Sequence, residues 1–383
     1  MPATDAAHWR KAYSFKHLRT VWTDYSSVRN SLPNRCHHDN RLQFPDMWQR
    51  VLFDVDFATD VSVGVADVAV LRASRRAMAT LFEVLLPFGL PNAQVVVEAA
   101  LDRIDELEDQ LTVFRDHSEV SQLNAKAFDG GIQVERGLFD LIEFAAHVTR
   151  QTQGAFDIAT GALTKTWGFF KREGRVPTLA ERADVMGRTG TRFLALDREL
   201  RSVRYLRKGL EINLGGIGKG YALDRTAELL TTEWHVASAL LHGGASSVRA
   251  IGTPPGQPRG WPVTIKHPWE SDRRLGTVYL DGVALGTSAA TFQHFAYNGR
   301  TLGHLLDPRT GWPAEGIQQT SVIAPTAMEA DALSTAFFVL GVEPTAEFCR
   351  SRPEIGVVLL PAGQDRPLTF NLNSQTYSPA PPG

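Results

Sequence analysis

The sequence predicts an α+β fold. Strand-like segments are interrupted by amphipathic helices without a strict βαβ alternation, and no fixed-period repeat or low-complexity tract intervenes. With 383 residues, 43% hydrophobic and 21% charged, the chain can bury a sizeable core. A formal net charge of −2 with both signs interspersed gives no electrostatic footprint for nucleic acid, and no apolar run is long enough to span a bilayer. The cysteines, Cys36 and Cys349, rule out a disulfide framework and a cysteine-rich zinc module.

Residues 1–72 are rich in His, Arg and Asn and sustain neither a helical nor an alternating pattern, so they read as a poorly ordered N-terminal extension that is dispensable for catalysis. The N-terminus lacks an apolar signal core and a lipoprotein-type cysteine; the chain as written is expected in the cytoplasm, and a start assigned too early would make a periplasmic location the alternative. From residue 73 to 383 the texture is that of one domain. MATLFEVLLP reads as a strand, and the segment from Asn92 to Thr112 as a helix with Val95, Val96, Ala99, Ile104 and Leu107 on its buried stripe. A polar loop follows, then a second amphipathic helix over Leu138–Thr152, broken at Gly154. ALTKTWGFF is a short helix or turn, and residues 193–214 alternate as paired strands. Beyond a glycine-rich turn come the helix GYALDRTAELLTTE and several short strands through Val283.

Four stretches carry candidate chemistry. In TSVIAPTAMEADALSTAFFVLG, a strand turns at Pro325 into a helix opened by a Thr326–Glu329 capping box and closed near Gly341. Asp331 and Thr335 lie one turn apart with Ser334 beside them, while Leu333, Phe337 and Leu340 mark the buried stripe; a carboxylate with neutral oxygens suits a hard cation such as Mg²⁺, and taken alone the same face reads as solvated. In EINLGGIGKGYALD, a strand ending at Asn213-Leu214 feeds glycines into a helix, presenting backbone N–H groups and Lys219 to an anion; a tight turn needing glycine for sterics is an equal reading. In GRTLGHLLDPRTGWP, His304 stands at a strand end before the Asp307-Pro308 turn, as a general base or a structural hydrogen-bonder. Gly154 to Asp157 could hold a ribose or ring edge, or cap a helix.

These stretches, with Met78-Ala79-Thr80 and SEVSQLN at 118–124, occur in an order that resembles the ApbE family of FAD:protein FMN transferases, over about residues 77–380. The resemblance implies an ApbE-like (T-fold-like) arrangement of mixed sheets with packed helices. It implies a Mg²⁺-dependent enzyme that joins the FMN half of FAD to a threonine or serine hydroxyl of an acceptor flavoprotein and releases AMP. On matching positions, Asp331, Thr335, an oxygen of Ser334 and the Gly216 carbonyl would hold the metal. Met78, Ala155, Phe156, Asp157, Asn213, Lys219 and Leu306 would line the FAD site, and His304 would be the base. Phe114 stands where the family prefers Tyr, and Asn213 where Asp is common. Ala289-Ala290 follows Thr287-Ser288 where the family has glycine, and the Ala289 Cβ is expected to narrow the approach to the flavin phosphate. The alternatives are an FAD pyrophosphatase at the same metal site and a non-catalytic flavin-binding protein.

Overall fold

The structure, a computed structural model, describes residues 70–381 except 245, 271 and 292. The expectation of a poorly ordered extension therefore lies outside the described residues up to residue 69. In chain order the elements begin with β1 (Val70–Ala77), β2 (Thr80–Pro87), α1 (Ala93–Leu111), α2 (Glu119–Lys126), β3 (Ile132–Gln133), α3 (Arg136–Gln151), α4 (Gly161–Thr166) and α5 (Leu179–Met186). They continue with β4 (Leu194–Asp197), β5 (Ser202–Tyr205), α6 (Gly218–Thr232), β6 (Ala239–Gly243), β7 (Ser247–Ile251), β8 (Trp261–Lys266), β9 (Arg274–Leu280) and β10 (Ala284–Ala289). The remainder are β11 (His294–Tyr297), β12 (Arg300–Gly303), β13 (Leu306–Asp307), β14 (Trp312–Pro313), β15 (Ile317–Ala324), α7 (Ala327–Leu340), α8 (Val342–Ser351), β16 (Gly356–Pro361), β17 (Leu368–Phe370) and β18 (Tyr377–Pro379).

An eight-stranded antiparallel sheet in the order β1-β2-β6-β7-β10-β15-β16-β17 forms the spine. Its two faces are read off the alternation along β2. Phe82, Val84 and Leu86 join the core shared with α1, α3, α6 and α7, whereas Leu85 joins a second core closed by the small sheet β18-β9-β8. The α+β expectation holds: helices gather on one face of an antiparallel sheet.

Several elements differ in detail from the sequence reading. β1 begins at Val70, so the sheet reaches ahead of the boundary placed at residue 73, and Arg72 on that strand makes a two-pronged contact with Glu83 on β2. The stretch read as a polar loop contains α2, whose start is fixed by Ser118: its hydroxyl oxygen accepts from the Ser121 N–H. On α1 the buried stripe is Val96, Val97, Ala100, Leu101, Ile104, Leu107 and Leu111, while Val95 is 51% exposed; the phase is rotated because both Val96 and Val97 reach the core. Asn213-Leu214 is an irregular extended segment, anchored by the Asn213 N–H to the Ile158 carbonyl and not by a strand partner. At the start of α7 only half of the capping box forms. The Thr326 hydroxyl accepts from the Glu329 N–H, but the Glu329 carboxylate turns to Arg352 on the far side.

One buried charge cluster ties the N-terminal hairpin to the sheet. Burial works to raise the Glu83 carboxyl, yet His242 and Arg72 bonded to it outweigh that effect and hold it down to about 2. Because the folded carboxyl keeps its charge more tightly than the unfolded one, this stabilisation is full above pH 4.5 and fades as pH falls toward 2. The depression corresponds to about 3 kcal/mol at about 1.4 kcal/mol per unit. Replacing Glu83 with Gln is expected to lower stability at neutral pH and to flatten the fall of the melting temperature below pH 4.5; acid melting curves that run parallel for both proteins would contradict this.

Candidate active site on helices 6 and 7

The site is assembled by two helices that cap each other. The first turn of a helix leaves N–H groups with no partner inside the helix. On α6 one of these, the Gly220 N–H, donates to the Asp331 carboxylate of α7 at 2.8 Å. On α7, the Ala327 and Met328 N–H groups donate to the Asp224 carboxylate of α6 at 2.9 and 2.8 Å. This exchange is possible because the helices touch closely. A Cβ on Gly220 would stand 2.1 Å from the Ala327 carbonyl oxygen, so glycine is required there by contact. Gly286 on β10 meets the same condition from the sheet side, where a Cβ would lie 2.5 Å from the Asp331 nitrogen.

Asp331 is therefore buried and not on a solvated face. Its oxygens also accept from the Ser247 hydroxyl at 2.7 and 2.9 Å, and burial pushes its carboxyl up to about 6 against the opposing charge of Lys219 and these hydrogen bonds. Burial likewise raises the Asp224 carboxyl, opposed by its two N–H donors and by Arg249. Beside Asp331 the Ser334 hydroxyl donates to the Asp331 carbonyl at 2.9 Å, and Ser288 lies 2.9 Å from Ser334 and 3.2 Å from the Thr335 hydroxyl. With the Ser334 proton engaged, Ser288 donates to Ser334 and accepts from Thr335. The sequence reading did not assign Ser247, Ser288 or Asp224. The Asp224 signal was present as an acidic residue in the second turn of α6, but its partner on α7 is a tertiary fact.

The structure brings Gly216, Phe156 and Thr335 together: a Cβ on Gly216 would lie 3.4 Å from both the Phe156 ring and the Thr335 hydroxyl oxygen. Lys219 is near enough to Asp331 and His304 for its charge to act on both. His304 follows β12, with its Nδ1 3.3 Å from the Gln293 carbonyl and its ring edge-on to Phe169. Burial lowers its ionisation below the usual 6.5 despite the Gln293 hydrogen bond, with help from Lys219 and His294. Leu306, two residues on, packs on the small core around Trp167 and Phe169.

Other predicted residues make local contacts. The Asp157 carboxylate accepts from the Ala159 and Thr191 N–H groups, so it fixes its own loop, and Ala155 beside it is buried. Asn213 accepts from the Gly215 N–H. Met78 turns the β1–β2 hairpin at φ 48° and donates its N–H to Glu108. Four N–H groups of the glycine turn are already engaged. The N–H groups of Gly215, Ile217, Gly218 and Gly220 all have protein acceptors. Ala289 sits in regular β10 opposite Gln319, without positive φ. Its neighbour Ser288 points to α7, so the Ala289 Cβ points to the other sheet face and does not narrow the site as expected. Phe114 is exposed and stacks on Phe170 at 4.7 Å.

The donor set is oxygen-only: one buried carboxylate, clustered hydroxyls and a nearby backbone turn. That chemistry fits a hard cation whose remaining positions are filled by water and ligand phosphate, and among the described residues no group of three or more His, Cys, Asp or Glu offers a rival site. Fold and site together define an α+β protein with a buried carboxylate set among hydroxyls where two helices meet the sheet.

The chain belongs to the ApbE family, whose model matches residues 78–359. An FAD:protein FMN transferase from Klebsiella pneumoniae (strain 342) is 30% identical over 274 residues, covering 70% of this chain and 84% of that protein. One from Treponema pallidum (strain Nichols) is 29% identical over 282 residues, covering 69% and 77%. The crystal structure of an ApbE protein from Thermotoga maritima matches with a TM-score of 0.72 at 27% identity, over 79% of this chain and 96% of that one. The apo form of the Pseudomonas stutzeri flavinyl transferase ApbE shares the fold, with a TM-score of 0.69 at 24% identity over 80% and 96%. No helix among the described residues is long and apolar enough to cross a membrane.

Replacing Asp224 with Ala is expected to strand two N–H groups at the head of α7 and cost about 1–3 kcal/mol. Chemical denaturation would show it as a lower midpoint with an unchanged slope; an unaltered midpoint would mean that α7 is held elsewhere.

Proposed function

We propose that this chain transfers FMN from FAD to a threonine or serine hydroxyl of an acceptor flavoprotein in a Mg²⁺-dependent reaction that releases AMP. The observation that supports the reading is the cluster of Asp331, Ser334 and Thr335 with Gly216 packed on Thr335, under a Lys219 charge that acts on both Asp331 and His304, on a chain of this family. Asp331, Thr335, Ser334 and the Gly216 carbonyl would hold Mg²⁺, which when bound neutralises charge on phosphate oxygens.

The chain's own residues supply the rest. The acceptor hydroxyl oxygen bonds to the phosphorus of the FMN half while the pyrophosphate P–O bond breaks, and the electron pair leaves with AMP. The hydroxyl proton passes to His304. Its lowered ionisation keeps the imidazole neutral at pH 7, and the Nδ1 contact with Gln293 favours the tautomer with the accepting lone pair on Nε2. Lys219 faces the developing negative charge, and Phe156 beside Gly216 gives the ligand an apolar wall.

The experiment is incubation with FAD, Mg²⁺ and a candidate acceptor, followed by mass spectrometry of the acceptor and measurement of AMP. Free FMN and AMP with an unlabelled acceptor would favour hydrolysis instead, and FAD binding without AMP a carrier. Replacing His304 with Ala is expected to slow labelling by about 10²–10⁴-fold while flavin affinity, followed by fluorescence, stays close to the original. The rate of the unaltered protein should fall as pH drops through a value below 6.5, where the imidazole takes up its proton. Flavin affinity that collapses along with the rate would make His304 a binding residue.

A further inference from the structure

One cavity lies outside this machinery yet touches it on three sides. It encloses about 190 Å³ and is walled by Ala290, Leu305, Ala314, Ile317 and Phe338, with Trp269 at its rim. Ala290 follows the β10 strand that carries Ser288, and its N–H donates to the Gln318 carbonyl at the cavity wall. Leu305 is the residue after His304. Phe338 stands one turn beyond Ser334 and Thr335 on the same face of α7. The cavity is therefore bounded by the residue that follows the proposed base and by the α7 face that holds the hydroxyl cluster.

Its size and lining limit what it takes. Pockets for drug-sized ligands run to roughly 300–1,000 Å³, so this one is too small for a flavin ring system or an adenosine. Its lining is more apolar than polar, with Thr301, Glu315 and Gln318 supplying the polar part, and it accommodates one aliphatic or aromatic side chain. Trp269 is 49% exposed and leans edge-on against His294, presenting a large aromatic surface where a partner would arrive.

We propose that this cavity is the acceptor subsite: it receives a large apolar side chain of the acceptor polypeptide close in sequence to the hydroxyl residue, and so sets which hydroxyl reaches His304. The proposal rests on the transferase reading above. The acceptor binds as a chain whose apolar residue fills the cavity while its threonine or serine lies over His304. One methylene more or less on that side chain changes discrimination by about 10–200-fold.

The test uses the full chain with FAD, Mg²⁺ and a mixture of short synthetic peptides, each with one threonine and varied neighbours, and reads FMN-labelled sequences by mass spectrometry. Labelled peptides should be enriched about tenfold or more for Leu, Ile, Met or Phe near the threonine. Ala314→Phe, which fills the cavity, should erase that enrichment and leave the affinity for FAD unchanged. Trp269→Ala, at the exposed rim and harmless to folding, should weaken labelling of the preferred peptides about fivefold. Labelling without apolar preference, or a preference that survives Ala314→Phe, overturns the subsite and leaves the transferase reading intact. No labelled peptide and no AMP would overturn the transferase reading, and the subsite with it.

Discussion

The exchange of carboxylates between α6 and α7 is the constraint on which the rest of the site depends. Each helix presents backbone N–H groups that need acceptors, and each supplies a carboxylate to the other. The arrangement fixes the register of the two helices through backbone N–H groups. It also sets Asp331 in the interior, where its charge is disfavoured and its carboxyl is pushed up to about 6. A carboxylate held against desolvation by neutral donors and one lysine is suited to a cation.

Packing enforces the exchange from both sides. Gly220 lets the head of α7 approach α6, and Gly286 lets β10 approach the middle of α7. The close approach then places Ser288 of the sheet against Ser334 and Thr335 of the helix, so the hydroxyl cluster is a product of backbone proximity. The face of α7 opposite this cluster carries Leu333 and Phe337 in the main core, which leaves the helix buried nearly all round. Functional polarity is inserted into an otherwise apolar element, and Ser247 and Gly220 make that insertion tolerable by donating to it.

Much of this was legible in the sequence because it is local. The spacing of Asp331, Ser334 and Thr335 put them on one face, Thr326 marked the start of α7, and Gly341 ends it at φ 82°. The paired strands β4 and β5 and the helix α6 followed from alternation and period. What sequence could not show depends on partners far along the chain. The solvated reading of Asp331 fails because β7 and β10 cover it, and in the glycine turn the N–H groups of Gly215, Ile217, Gly218 and Gly220 find acceptors in Asn213, Leu214 and Asp331. Ala289 was judged by comparison with a glycine position; β-strand alternation around Ser288 turns its Cβ to the other face. Asp157 is held by the Ala159 N–H of its own loop and by the Thr191 N–H 34 positions away, a contact that no local pattern shows.

The most direct test of the mutual capping is amide hydrogen exchange in the metal-free protein, resolved at Gly220, Ala327 and Met328. The account predicts that all three exchange only through global unfolding, far more slowly than first-turn N–H groups of a helix open to water, and that Asp331→Ala releases Gly220. Fast exchange at these three positions in the unaltered protein would contradict it, because the N–H groups would then not be held by Asp331 and Asp224.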